Sequence, residues 1–141
     1  MTNSTEQKTT FCALNFCAQD CEDLLAEVLP YLRDPNCKAV PACRLHLTLL
    51  YLGNINIADC NALITKLDRE LRSPRLLMLS YDKIIALRLK HSQAIAIEVA
   101  PTEQLLELHK IIKSCAQEIG IAIKDNDFLP HITIARRQNG D

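Results

Sequence analysis

The sequence has no apolar run approaching the roughly 20 residues of a membrane span, so no spanning helix is expected. Neither sign of charge prevails: 16 Lys and Arg stand against 17 Asp and Glu, leaving a formal charge of −1. That balance excludes a protein that holds nucleic acid mainly by electrostatics, and leaves open a small anionic ligand in a cleft. Met1 to Thr10 lacks the apolar core of a signal peptide and reads as a polar, disordered tail, with a single domain over 11–141. No C-x-x-C occurs. The seven cysteines are scattered at 12, 17, 21, 37, 43, 60 and 115. Without a secretory signal they read as reduced thiols of a cytoplasmic protein, several of them filling the core. Cys43-x-x-His46 has no second pair at finger spacing, so a structural zinc site is not expected.

What is present is enough apolar material for a core: 48% hydrophobic against 23% charged residues. At 141 residues the chain suits one domain, or two small lobes sharing a core. Phe11 to Phe16 is a short apolar run fit for a strand. From Asp20 a helical pattern sets Leu24, Leu25, Val28, Leu29 and Leu32 on one face. Pro35 and Pro41 bracket a loop, and Arg44 to Leu52 reads as a strand ended by a turn at Gly53-Asn54. A second helix is expected over Ile57 to Leu71, stopped at Ser73-Pro74. Leu76 to Val99 reads as two or three strands with turns at Tyr81-Asp82-Lys83 and Lys90-His91-Ser92. A third helix opens at Pro101-Thr102 and closes at Gly120, and a last strand covers Phe128 to Arg136.

The order hints at a repeat. His46-Leu47-Thr48 follows the strand start at Phe11 by 35 residues, and His131-Ile132-Thr133 follows Ile95 by 36. Each half reads as strand, helix, then a strand carrying His-x-Thr. Alternation puts His46 with Thr48, and His131 with Thr133, on one face of their strands. Polar groups at such apolar positions cost on the order of 1–3 kcal/mol each when buried without partners, so both faces are expected to line a cavity. Related by a pseudo-twofold, the pairs converge. Two imidazoles and two hydroxyls around one point suit in-line displacement at phosphorus. A neutral His takes a proton from the nucleophile, a charged one donates to the leaving oxygen, and the hydroxyls hold the other oxygens. Because an imidazole ordinarily titrates near 6.5, no metal is required.

His46-Leu47-Thr48-Leu49-Leu50-Tyr51-Leu52-Gly53 and Pro130-His131-Ile132-Thr133-Ile134-Ala135-Arg136 resemble the paired motifs of the two-histidine (2H) phosphoesterase superfamily. The likeness is to its bacterial branch, the RNA 2′,3′-cyclic phosphodiesterases also called 2′-5′ RNA ligases, and runs from Phe11 to Arg136. The 85-residue separation of the histidines suits that branch. The resemblance implies a bilobal α+β fold, with sheets lining a cleft, helices outside and one His-x-Thr strand per lobe. It implies metal-independent opening of a 2′,3′-cyclic phosphate to a 2′-phosphate, with reversible 2′-5′ ligation in some members and no cofactor. Its partners would be RNA ends or small nucleotides, met by a monomer. It also assigns phosphate binding to the Arg ending the second motif, here Arg136. Strict alternation turns Arg136 away from His131, so that role requires a strand end or a bulge. Relatives often begin with Arg-Leu-Phe-Phe-Ala-Ile, whereas this chain has Thr10-Phe11-Cys12-Ala13-Leu14; Phe11 is the candidate for stacking on a base. Many relatives also continue well past the second motif.

Tyr51 alternates away from His46 and reads as packing or rim, His91 as a solvated turn residue and His109 as surface or boundary. Cys17, Cys21 and Cys43 read as structural. Within the enzyme class the rival substrates are 2′-5′ oligoadenylates and cyclic phosphates of ADP-ribose type. Outside it, the rival is a non-catalytic RNA-end binding module.

Overall fold

The computed structural model describes residues 6–32, 34–72, 77–88, 92–124 and 128–138. The elements in chain order are β1 (Gln7–Asn15), α1 (Ala18–Val28), β2 (Cys37–Ala39), β3 (His46–Asn56), α2 (Ile57–Glu70), β4 (Tyr81–Arg88), β5 (Ser92–Val99), α3 (Glu103–Ile119) and β6 (His131–Gln138). The fold is α+β. Its strands form a six-stranded sheet in the order β1-β3-β6-β5-β4, with β2 pairing β6 as well. The β2–β6, β3–β6, β4–β5 and β5–β6 pairs are antiparallel. No helix among the described residues is long and apolar enough to cross a membrane.

Local chemistry sets the helix ends. The Asn56 side chain accepts from the Asp59 N–H at 2.7 Å and starts α2, and Thr102 does the same for α3 through the Leu105 N–H at 3.2 Å. Gly120 closes α3 at φ +98°, a left-handed conformation that glycine adopts without strain.

Five expectations need correction. β1 begins at Gln7, inside the stretch Met1–Thr10 expected as a tail. A ladder is built by backbone groups, so β-branched Thr9 and Thr10 join it, and Thr9 Oγ1 donates to Asn54 Oδ1 at 2.8 Å. Gly53-Asn54 does not end β3; Gly53 has φ +70°, but one left-handed residue only bends a strand, whereas a tight hairpin needs a pair of turn residues. The segment between Pro35 and Pro41 is not only loop: β2 pairs with the end of β6, and Val40 N–H continues the contact to Ile134 O at 2.8 Å. The turn expected at Tyr81 to Lys83 is a register irregularity at the start of β4. The last strand starts at His131, after Phe128. The expected stop at Ser73-Pro74 and the residue His91 lie outside the described residues.

The chain divides into two compact units, each assembled from three stretches. One comprises residues 1–13, 48–79 and 101–128; the other 14–47, 80–100 and 129–141. The first has a core of Leu49, Leu52, Leu63, Leu105, Ile112 and Ala116, with α2 and α3 tied by the Lys66–Glu118 ion pair. The second packs α1, through Cys21, Leu24 and Val28, with an apolar sheet face that includes Leu47, Ile97, Val99, Ile132 and Ile134. Tyr81 OH donates to Glu27 at 2.6 Å, joining β4 to α1. This bond to a carboxylate holds the phenol proton, and with burial pushes the Tyr81 pKa up to about 12.

Candidate active site

Leu47 of β3 is the register partner of Ile132 of β6, and both are buried. His46 precedes Leu47 and His131 precedes Ile132, so alternation turns both imidazoles to the sheet face opposite that buried pair. His46, His131 and Thr133 are all half-buried, in contrast to the fully covered Leu47 and Ile132 between them. Thr48, two residues on from His46 along β3, is also half-buried and on the His46 side of its strand.

Both imidazoles are held by the same device. His46 Nδ1 lies 2.8 Å from Arg44 O, and His131 Nδ1 lies 2.7 Å from Leu129 O. A carbonyl oxygen only accepts, so each Nδ1 carries the proton and donates. The tautomer is thereby set, and each Nε2 can meet a ligand as acceptor when neutral or donor when charged. The chain enters β3 through a 3-10 turn over Ala42–Arg44, which places the Arg44 carbonyl under the ring.

Arg136 reaches this face through a bulge. Between β5 and β6 the register runs Glu98↔His131, Ile97↔Ile132, Ala96↔Thr133, then shifts to Ile95↔Ala135 and Ala94↔Arg136. Ile134 is the extra residue. Ile134 and Ala135 therefore both turn to the buried side, where each is fully covered, and Arg136 returns to the His131 side. The bulge required by the sequence reading is present. Opposite, β5 offers Ala94 and Ala96, whose small side chains leave room beside Thr133 and Arg136.

Sequence reasoning missed two residues of this face. Lys38 of β2 is the register partner of Arg136. Glu98 is the partner of His131, and it lines a cavity of about 300 Å³ together with Ser80, Tyr81, Lys83 and Ala100. Neither had a signal: β2 is too short for periodicity, and Glu98 reads as one polar residue in an alternating strand.

Other candidates fall elsewhere. Phe11 lies in β1, 46% exposed, in the unit that does not contain His46 and His131. Tyr51 is 59% exposed. His109 is half-buried and more than a boundary residue: its Nδ1–H donates to Leu49 O at 2.6 Å, and its ring stacks on Phe128 with centroids 4.2 Å apart and planes 2° from parallel. Burial pushes the thiol pKa up at Cys12, Cys21 and Cys115, opposite to what a nucleophile needs. Among the described residues, no three His, Cys, Asp or Glu side chains gather as a metal site.

Residues 21–141 match the sequence family described as the 2′-5′ RNA ligase superfamily. The chain belongs to that superfamily. Membership places it with the 2H phosphoesterases, enzymes acting on phosphodiester bonds. Solved structures share the fold. Escherichia coli LigT complexed with 3′-AMP superposes with TM-score 0.73 at 23% identity, covering 96% of this chain and 76% of LigT. LigT complexed with NADP+ gives 0.69 at 23% identity, covering 93% and 73%. The protein TT0787 of Thermus thermophilus gives 0.70 at 22% identity, covering 93% and 75%. No curated protein sequence matches significantly.

Proposed function

We propose that this superfamily member opens the 2′,3′-cyclic phosphate of RNA ends or nucleotides to a 2′-phosphate, by acid–base catalysis between His46 and His131 without a metal. The observation that carries the reading is the paired tautomer: two imidazoles beside one register pair, each with Nδ1 committed to a carbonyl. One Nε2, neutral, takes a proton from water as its oxygen attacks phosphorus. The opposite imidazolium gives its proton to O3′ as the P–O3′ bond breaks. One proton is taken and one returned, so the enzyme ends a turnover with its two histidines in exchanged protonation states, restored through solvent. Thr48 and Thr133 donate to the non-bridging oxygens, and Arg136 binds phosphate. With a 5′-hydroxyl as nucleophile in place of water, the same displacement of O3′ forms a 2′-5′ linkage. LigT, solved with 3′-AMP and with NADP+, lends support by showing that a protein of this fold accommodates nucleotides.

The test is incubation with 2′,3′-cyclic AMP in excess chelator, followed by identification of the product. Adenosine 2′-phosphate is the expected result. The 3′-phosphate would reverse the leaving oxygen, and absence of turnover on mono- and oligonucleotides alike would replace catalysis by RNA-end binding.

A further inference from the structure

A carboxylate stands beside the proposed phosphate centre, where its own charge would repel an anionic substrate. Glu98 is the β5 partner of His131, so their β-carbons lie about 4.5–5.5 Å apart on one sheet face. Further across that face the β4–β5 ladder is irregular: Tyr81 pairs with Val99 and Ile84 with Ile97, so residues 82 and 83 share Glu98. Lys83 precedes Ile84 and therefore points to the Glu98 side, while Tyr81 turns the other way to reach Glu27. Ala100 N–H donates to Ser80 O at 2.8 Å, which carries the pairing one step on and puts Ser80 and Ala100 on the Glu98 side too. The cavity of about 300 Å³ that these residues line thus continues the histidine face. Across the strands it lies about 5–10 Å from His131, one to two strand spacings. Its residues belong to the same compact unit as both histidines. Among the described residues no ion pair joins Glu98 or Lys83 to another side chain.

A ligand that suits such a cavity brings its own donors, because a carboxylate only accepts. The base of a nucleotide hangs one sugar away from its ribose phosphate, a reach that the cavity matches. Guanine presents two adjacent donors, N1–H and the 2-amino group, which a carboxylate takes together, and its O6 is next in line for an ammonium. Adenine and cytosine set an acceptor nitrogen beside their amino group, and uracil flanks its single N–H with two carbonyls. Each of these would turn a lone pair toward Glu98. We infer that Glu98 and Lys83 form a guanine-reading site, Glu98 accepting from N1–H and the 2-amino group and Lys83 donating to O6. The nucleoside that carries the reacting phosphate is then guanosine. This rests on the proposed chemistry at His46 and His131 for where the phosphate sits. It also gives the carboxylate a use: the two donors of the base offset its repulsion of the phosphate, and other bases meet the repulsion alone.

Changes to the ligand and to the protein test this together. Calorimetric titration gives dissociation constants for the 2′-phosphates of guanosine, adenosine, cytidine and inosine with the wild type, Glu98→Gln and Lys83→Ala. The wild type is expected to bind the guanosine nucleotide roughly 5–100-fold tighter than the adenosine one, the weight of one bidentate base contact. Inosine keeps N1–H and O6 but lacks the 2-amino group, and should lose most of that preference with the protein unchanged. Glu98→Gln should bring the guanosine-to-adenosine ratio close to one, with the adenosine nucleotide bound as well or better once the carboxylate charge is gone. Lys83→Ala should shrink the ratio several-fold. Equal binding of the guanosine and adenosine nucleotides by the wild type would overturn the guanine site. So would an inosine nucleotide as tight as the guanosine one, tightest binding of the cytidine nucleotide, or a preference that survives Glu98→Gln. Turnover separates this site from the chemistry. If binding follows Glu98 as expected but guanosine 2′,3′-cyclic phosphate is not opened, the base site stands and the proposed chemistry falls. Equal kcat/KM on the cyclic phosphates of guanosine and adenosine, with equal binding, does the reverse.

Discussion

At the scale of single residues, each imidazole has Nδ1 on a backbone carbonyl, and the proposed chemistry uses Nε2. Replacing either His46 or His131 by Ala is expected to lower turnover by roughly 10²–10⁴, the usual weight of a general acid or base. The double variant should lose far less than the product of the single losses, because the two act as a unit. Steady-state kinetics on 2′,3′-cyclic AMP checks both points, and full activity in either single variant would end the two-histidine mechanism. Thr48→Ala and Thr133→Ala remove a donor to a charged oxygen and should cost roughly 1.5–3 kcal/mol of transition-state binding, less than the histidines. The pH profile follows from the need for one neutral and one charged imidazole. An imidazole ordinarily changes charge near 6.5, so kcat/KM should rise and fall about an optimum between about pH 6 and 8. EDTA should leave both limbs in place. A single-limbed profile lost in EDTA and restored by zinc would assign the chemistry to metal-bound water instead.

Elements reach beyond their own residues through a few side chains, and His109 is the clearest. It fastens α3 to β3 at Leu49, directly after Thr48, and Phe128 covers its ring. His109→Ala would remove the bond, leave the Leu49 carbonyl without that donor and strip the stacking partner. A loss of roughly 1–3 kcal/mol is expected in urea unfolding. A midpoint unchanged from wild type would mean that water replaces the ring at no cost. The sequence showed His109 as one polar residue of a helix; nothing in helical periodicity reveals that a strand carbonyl waits opposite. The histidine strands were legible for the contrary reason. Two imidazoles at matched places in apolar, alternating runs conflict with burial, and a shared polar face resolves the conflict. Lys38 was illegible because three strand residues between two prolines carry no period, and strand β1 reached back to Gln7 because ladder bonds ignore side-chain polarity.

For the whole molecule, thiol distribution gives a test of packing that needs no substrate. All seven cysteines are free, with Cys17 and Cys43 exposed and Cys21 and Cys115 buried. Burial also raises the pKa of the two buried thiols, so at neutral pH they hold little thiolate. A thiol-reactive dye should label Cys17 and Cys43 first in the native protein and Cys21 and Cys115 only on unfolding. Mass spectrometry of the labelled peptides reads the order, and early labelling of Cys115 would contradict the packing of α3. Charge is distributed with similar economy: a nearly neutral chain sets Lys38 and Arg136 together on one face of one unit.

The bulge at Ile134 acts as a frameshift written in backbone. Upstream of it the odd-numbered residues of β6 hold the proposed site, and downstream the even-numbered Arg136 shares their face. The site is therefore indexed by residue count as much as by residue type. Inserting one residue after Ala135 would leave His131 to Ala135 in their places and turn over everything that follows, swapping the side to which the arginines point. No catalytic group would be touched. Such a variant should keep its helical circular dichroism and still bind adenosine 2′-phosphate more weakly in calorimetric titration, because Arg136 would face away from the proposed site.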